Sequence, residues 1–200
     1  MSTLLLIDGE NFRKSLAAVF SATDKPFPAW HEYDFQRLFN SVLSGIKVDR
    51  CVFYFARLKF HEDTAEKSKK LIEEQRLLKT HLEKQWFEVV LAGMVRGQIM
   101  ERSWLKGGSQ LVFKEKGVDV RIAVDMVVMA CDKTATHIIL GSSDSDLQPA
   151  IQEAKKRGVQ CIYLGFEDKP NYGLTATTDK TILIRNSEVF ASEPVVLPLK

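Results

Sequence analysis

The chain has 200 residues, 45% of them hydrophobic, and a formal net charge of +2. That suffices for one well-cored domain, and with so small a surplus any basic surface must come from segregated charge. No apolar run approaches the ~18 residues of a membrane span, and Met1-Ser2-Thr3 leads straight into an apolar segment without the layout of a signal peptide, so a cytoplasmic protein is expected.

Leu4-Leu5-Leu6-Ile7 is an apolar run too short for a helix, ending in Asp8-Gly9-Glu10-Asn11. It reads as a buried parallel strand feeding a turn, with a helix following through Phe12 to Phe20. Residues 21–30, with Pro26, Pro28 and Trp30, read as a loop. Tyr33 to Leu43 places Phe35, Leu38, Phe39 and Val42 at helical spacing, closed by Gly45. Arg50 to Ala56 is a second buried strand. A charged helix is expected from about Asp63 to Gln85, packed along Leu71, Leu78 and Leu82, with Lys67, Lys69, Lys70, Arg76, Lys79 and Lys84 on its outer face.

Phe87 to Leu91 reads as a third strand, and residues 93–116 then break the rhythm. Glycines at 93, 97, 107 and 108 bracket two short runs, a pattern that predicts a hairpin or flap carrying Arg96, Arg102, Lys106, Lys114 and Lys116, with Trp104 near its tip. Gly117-Val118-Asp119 opens a helix with Ile122, Ala123, Val124, Met126, Val127 and Met129, apolar nearly all round and therefore expected to be buried. Thr136 to Leu140 is a fourth strand, 145–157 a helix stopped by Gly158, and Val159 to Leu164 a fifth strand. Residues 165–180 read as loop, Thr181 to Ile184 as a short edge strand, and the stretch with Pro194 and Pro198 as a poorly ordered tail. Apolar strands alternating with helices define an α/β fold with a mainly parallel sheet covered on both faces. Cys51, Cys131 and Cys161, far apart and in apolar surroundings, read as free buried thiols, and no Cys or His pair has zinc-ligand spacing.

The chemistry gathers where strands end. Asp8 closes the first strand, and Ser142-Ser143-Asp144-Ser145-Asp146 follows the fourth; both project into the crevice at the carboxyl edge if those strands are neighbours. Asp119 stands at the mouth of a helix, Asp125 further along it where an unpaired carboxylate is costly. Taken singly, Asp8 reads as a turn residue and Asp119 and Asp146 as helix caps. Taken together they suit a hard divalent cation, because clustered carboxylates repel unless a cation compensates.

Three segments resemble the motifs of NYN domains, within the PIN-like nuclease superfamily: Ile7-Asp8-Gly9-Glu10-Asn11, Lys116 to Asp125, and Ser142-Ser143-Asp144-Ser145-Asp146-Leu147. Leu147 stands where that family often carries an aromatic residue. The resemblance implies a Rossmann-like three-layer α/β/α domain over 1–165, with a hairpin or flap insertion at about 93–116. A C-terminal extension over 166–200 would pack on it and end in a partly disordered tail. It further implies a metal-dependent ribonuclease, an endonuclease rather than an exonuclease, acting on RNA with Mg²⁺ or Mn²⁺. Asp8, Asp119, Asp144 and Asp146 would hold the metal, and Asn11 would orient water or a carboxylate. Asp125, Ser142 and Ser143 would support them. The hydrolysis itself needs charge neutralisation, hydroxide near neutral pH and leaving-group stabilisation, all of which carboxylate-held metal supplies.

For RNA binding the counter-charge is Arg96, Arg102, Lys106, Lys114 and Lys116 of the flap, with Trp104 either stacking on a base or meeting a second subunit in a homodimer. The 67–84 face is either part of that surface or simply solvated. The alternative to an enzyme is an RNA- or partner-binding regulator with little or no turnover. A phosphatase would need a nucleophilic D-x-D on the first strand, where Asp8-Gly9-Glu10 stands.

Overall fold

The computed structural model of the chain describes residues 2–60, 65–101 and 109–194, with the backbone alone over 96–101 and 109–115. Its elements in order are β1 (Thr3–Asp8), α1 (Gly9–Ser21), α2 (Phe35–Val42), β2 (Arg50–Arg57), α3 (Ala65–Lys84), β3 (Glu88–Glu101), β4 (Ser109–Lys116), α4 (Val118–Cys131), β5 (His137–Gly141), α5 (Gln148–Lys156), β6 (Gln160–Phe166), α6 (Tyr172–Thr177), β7 (Lys180–Ile184) and α7 (Asn186–Ala191). Single 3₁₀ turns lie at Trp30–Glu32 and Ser145–Leu147.

The strands form one seven-stranded sheet in the order β4-β3-β2-β1-β5-β6-β7, parallel throughout except for the antiparallel β3–β4 pair. The chain builds outward from β1 through β2 and β3, then returns to β1's other side and builds outward through β5, β6 and β7. The reversal falls between β1 and β5, which run in register from Thr3↔His137 to Ile7↔Gly141. In open α/β sheets that switch point opens a crevice at the carboxyl edge.

Alternation along β1 shows how the sheet is covered. Leu5 and Ile7 point into a core shared with Phe12, Leu16 and Phe20 of α1, Phe35, Leu38 and Phe39 of α2, Leu78 and Leu82 of α3 and Val189 of α7. Leu4 and Leu6 point the other way, to Ile122 and Met126 of α4, Ile151 and Ala154 of α5 and Leu174 of α6. The result is three layers, α/β/α. The first layer is rich in aromatic rings, and α1 lies so close to the sheet that a β-carbon on Gly9 would meet the Phe55 ring at 2.0 Å.

Several expectations are corrected. α4 is not buried all round: Val120, Val124 and Val128, each a helical turn apart, are 61%, 51% and 47% exposed. One face of the helix covers the sheet and the opposite face is left to solvent, whatever the residues there. Cys131, at the end of α4, is exposed, while Cys51 and Cys161 are buried. The 165–180 stretch contains α6, whose six residues are too few to show a period and whose only buried residue is Leu174. β3 does not stop at Leu91 but runs on through Gly93 and Gly97, which interrupt its apolar pattern, and pairs with β4 as a hairpin. Because Arg57 at the end of β2 pairs with Met94, the hairpin beyond that point rises roughly 20 Å past the carboxyl edge, at ~3.3 Å per residue. Arg96 and Lys114 are register partners in it. Arg102, Trp104 and Lys106 lie outside the described residues.

Candidate active site

β1 delivers Asp8 to the crevice by ending there. Its carboxylate caps α1, accepting from the Asn11 backbone N–H at 3.0 Å (Oδ1) and from Asn11 Nδ2 at 2.7 Å (Oδ2). Asp8 is only 5% exposed. Burial pushes its pKa up, the Asn11 bonds pull it down, and the charges of Asp144 and Glu10 add to the rise. Its hydrogen-bond donors are therefore neutral, and the charges that shift it are negative.

β5 delivers the second carboxylate one strand over. Beyond Gly141 the backbone N–H of Asp144 donates to Ser142 Oγ at 3.1 Å, and Asp144 Oδ1 accepts from the Asp146 N–H at 2.9 Å, capping the 3₁₀ turn. Ser143 Oγ donates to Asn11 Oδ1 at 3.0 Å. Asn11 thus ties the β1 turn to the β5 loop, its amide held on Asp8 and its carbonyl on Ser143.

The third carboxylate arrives with α4. Gly117, in the left-handed region at φ 90°, turns the chain from β4 into the helix without any side-chain cap, so Asp119 is not the cap and stands half-buried in the first turn. Asp8, Asn11, Asp119 and Asp144 line one cavity of about 480 Å³, together with Glu10, Lys14 and Lys116. Lys14 leans toward Glu10 at 3.8 Å.

The structure separates two other residues from this group. Asp146 is exposed and does not line the cavity. Asp125 is bonded to Tyr54 Oη at 3.0 Å and to Arg121 Nε at 2.8 Å, on the α4 face that meets β2. Ser142 and Ser143 act through the bonds just described, and Lys116 is on the cavity wall.

Two features escaped the sequence reading. Asn171 donates from Nδ2 to the Ser143 carbonyl at 2.8 Å while its Oδ1 caps α6 through the Leu174 N–H at 3.0 Å, so the first turn of α6 clamps the Asp144 loop. An Asn after Lys169-Pro170 is an N-cap signal that could have placed it. Glu10 and Lys14 face the same cavity, as their spacing from Asp8 along α1 allows.

Hard oxygen donors suit Mg²⁺ or Mn²⁺, and Mg²⁺ characteristically takes one or two carboxylates and keeps its waters. Asp8 and Asp144 match that demand in chemistry. Among the described residues no three Asp, Glu, His or Cys side chains are gathered tightly enough to chelate an ion by themselves.

A three-layer α/β/α sheet with carboxylates at its switch point is consistent with a PIN-like domain. The model of the NYN domain matches residues 2–185, nearly the whole chain, and the protein belongs to that nuclease-like family. Its fold is also similar to that of a solved protein of unknown function from Vibrio parahaemolyticus, with a TM-score of 0.56 at 18% identity over 92% of each chain, a likeness of fold alone. No curated protein matches the chain. Among the described residues no helix is long and apolar enough to cross a membrane.

Proposed function

We propose that the protein is a metal-dependent ribonuclease whose cleavage site is the cavity lined by Asp8, Asp119 and Asp144. The observation that carries this reading is the state of Asp8: buried, bonded among the described residues only to neutral Asn11 donors, and beside the charges of Asp144 and Glu10. A divalent cation is the partner that such a group lacks. When bound, Mg²⁺ or Mn²⁺ neutralises phosphate charge and makes water acidic enough to serve as nucleophile near pH 7.

The chain's own groups do the rest. Asp8 and Asp144 would hold the cation, and Asp119 lines the same cavity. Asn11 fixes the Asp8 carboxylate in one orientation, and Ser143, held by Asn171, fixes Asn11. Lys14 and Lys116 stand on the cavity wall as counter-charge for the phosphates on either side of the scissile one. The hairpin of β3 and β4 rises beside this edge, with Arg96 and Lys114 as register partners along its backbone.

The test is cleavage of labelled single-stranded RNA by purified protein with Mn²⁺ and with chelator, in wild type and Asp144→Asn. Internal cleavage that requires metal and disappears in the variant is the expected result. RNA binding without cleavage in any divalent metal would overturn the enzyme reading in favour of a regulator that binds RNA.

A further inference from the structure

A second and larger cavity, about 670 Å³, adjoins the acidic one and shares Glu10 and Lys14 with it. Its lining is unlike that of its neighbour. Trp30, Phe55, Leu71 and Leu78 provide apolar surface. Trp30 is set rigidly: its ring stacks on Phe35 at 5.5 Å and 9°, meets Phe27 edge-on at 5.1 Å, and carries the Arg13 guanidinium 5.9 Å above its centroid. Leu71 is half-buried, whereas Leu78 on the same helix is packed into the core, so the α3 stripe opens at this point. Arg13, Lys14 and Lys67 also line it, against Glu10 and Glu74, with Arg13 and Lys14 both paired to Glu10 and a positive balance overall.

We infer that this cavity is a base-binding subsite, holding the nucleobase of an unpaired nucleotide next to the phosphate in the acidic cavity. The inference rests on the ribonuclease reading for that phosphate, but the binding itself does not depend on cleavage. Three observations select this occupant. The volume falls within the 300–1,000 Å³ of ligand pockets. A rigid apolar wall with aromatic rings, set beside cations, suits a nucleobase and the phosphate that follows it. And Lys14, lining both cavities, stands where the strand would pass from one to the other. A base can enter only after leaving its stack, so the subsite selects single strands over duplex.

The test measures anisotropy of a labelled single-stranded RNA hexamer on the full chain in chelator, where no cleavage intervenes. Leu71→Trp fills the cavity and should weaken binding about 5- to 150-fold, the worth of one base–aromatic stack. A scan of abasic substitutions along the hexamer should find one position that costs wild type a similar factor and costs Leu71→Trp almost nothing, because the two changes remove the same contact. Lys67→Glu, on the exposed rim, spares the core should Leu71→Trp melt early, and it should weaken binding and flatten its salt dependence. Unchanged affinity in a folded Leu71→Trp, abasic penalties that simply add to it, or unchanged affinity and salt slope in Lys67→Glu would overturn the subsite. A protein that shows the coupling yet never cleaves RNA with Mn²⁺ sinks the nuclease reading and leaves the subsite standing. A nuclease indifferent to these changes does the reverse.

Discussion

Asp8 and Asp125 lie close in the fold, since Asp8 is the register partner of Tyr54 and Tyr54 donates its hydroxyl to Asp125. Both are withdrawn from solvent, Asp8 to 5% exposure and the Asp125 side chain to 17%. Their surroundings differ in one respect. Asp125 has a cation of its own in Arg121, four residues earlier on α4, and a second donor in Tyr54. Among the described residues Asp8 has neutral donors, and the charges that raise its pKa are those of Asp144 and Glu10. Lys14 and Lys116 line the same cavity without pairing with it. A carboxylate with an internal cation is complete as it stands, whereas one without it gains from an ion supplied from outside. The contrast divides the acidic residues of the motifs into those that hold the fold and those available for chemistry.

The division can be broken most forcefully by activity. Asp144→Asn keeps the oxygen that caps the 145–147 turn but removes a charge from the crevice, and should lower metal-dependent RNA cleavage by orders of magnitude, because cleavage depends on where the ion sits. Asp125→Asn should cost less than ~10-fold in the same assay, through slight shifts of α4. Equal losses at both positions would erase the contrast.

Stability should reverse the ranking. Asp125→Ala strands the buried Tyr54 hydroxyl and should cost ~1–3 kcal/mol, or roughly 2–10 °C in melting temperature, with or without metal. In chelator, Asp144→Asn should melt at or above the wild-type temperature, since it relieves repulsion with Asp8. Melts of the two variants side by side check both, and a destabilised Asp144→Asn would make Asp144 a structural loop residue.

Alkaline pH sharpens the Asp125 side of the comparison. Burial first, then the Asp125 charge and the hydrogen bond to it, raises the Tyr54 pKa above its ordinary value. A group that holds its proton more tightly folded than unfolded adds stability below its unfolded pKa, and that stability is lost as pH rises through the folded one. The wild type should therefore lose stability above about pH 10, where the unfolded tyrosine ionises. Tyr54→Phe, less stable at neutral pH, should show a shallower fall there. An identical slope in both proteins would mean that Tyr54 does not titrate differently on unfolding.

The smallest effect is expected at Asp146. Exposed and off the cavity wall, it offers only its backbone N–H to Asp144. Asp146→Asn should change cleavage by less than about threefold, and a loss comparable to that of Asp144→Asn in the same RNA assay would bring Asp146 into the site.

The fold was legible because its strands are solid apolar runs ending in turn residues. β1, β2, β5 and β6 could be read for that reason, and so could the acidic motifs placed at their ends. What could not be read depended on neighbours. The exposure of Val120, Val124 and Val128 follows from how much of α4 the sheet covers, which composition does not encode. α6 is too short to show a period and is held by one cap from Asn171. The separation of Asp125 from Asp8 needed the register that puts Tyr54 between them. The cavity beside Trp30 needed the loop at 26–32 folded against α3, a contact between segments more than thirty residues apart.

Cation binding at the Asp8 crevice, as proposed, is tested most directly and without RNA by thermal melting against Mn²⁺ concentration. An ion that binds only the folded state raises stability with concentration, by ~2.7 kcal/mol at one hundred times its dissociation constant. The wild-type melting temperature should climb with Mn²⁺ and return in chelator, Asp125→Asn should climb alike, and Asp144→Asn should barely respond. A wild type indifferent to Mn²⁺, or an Asp144→Asn protein that responds as fully as wild type, would contradict the account.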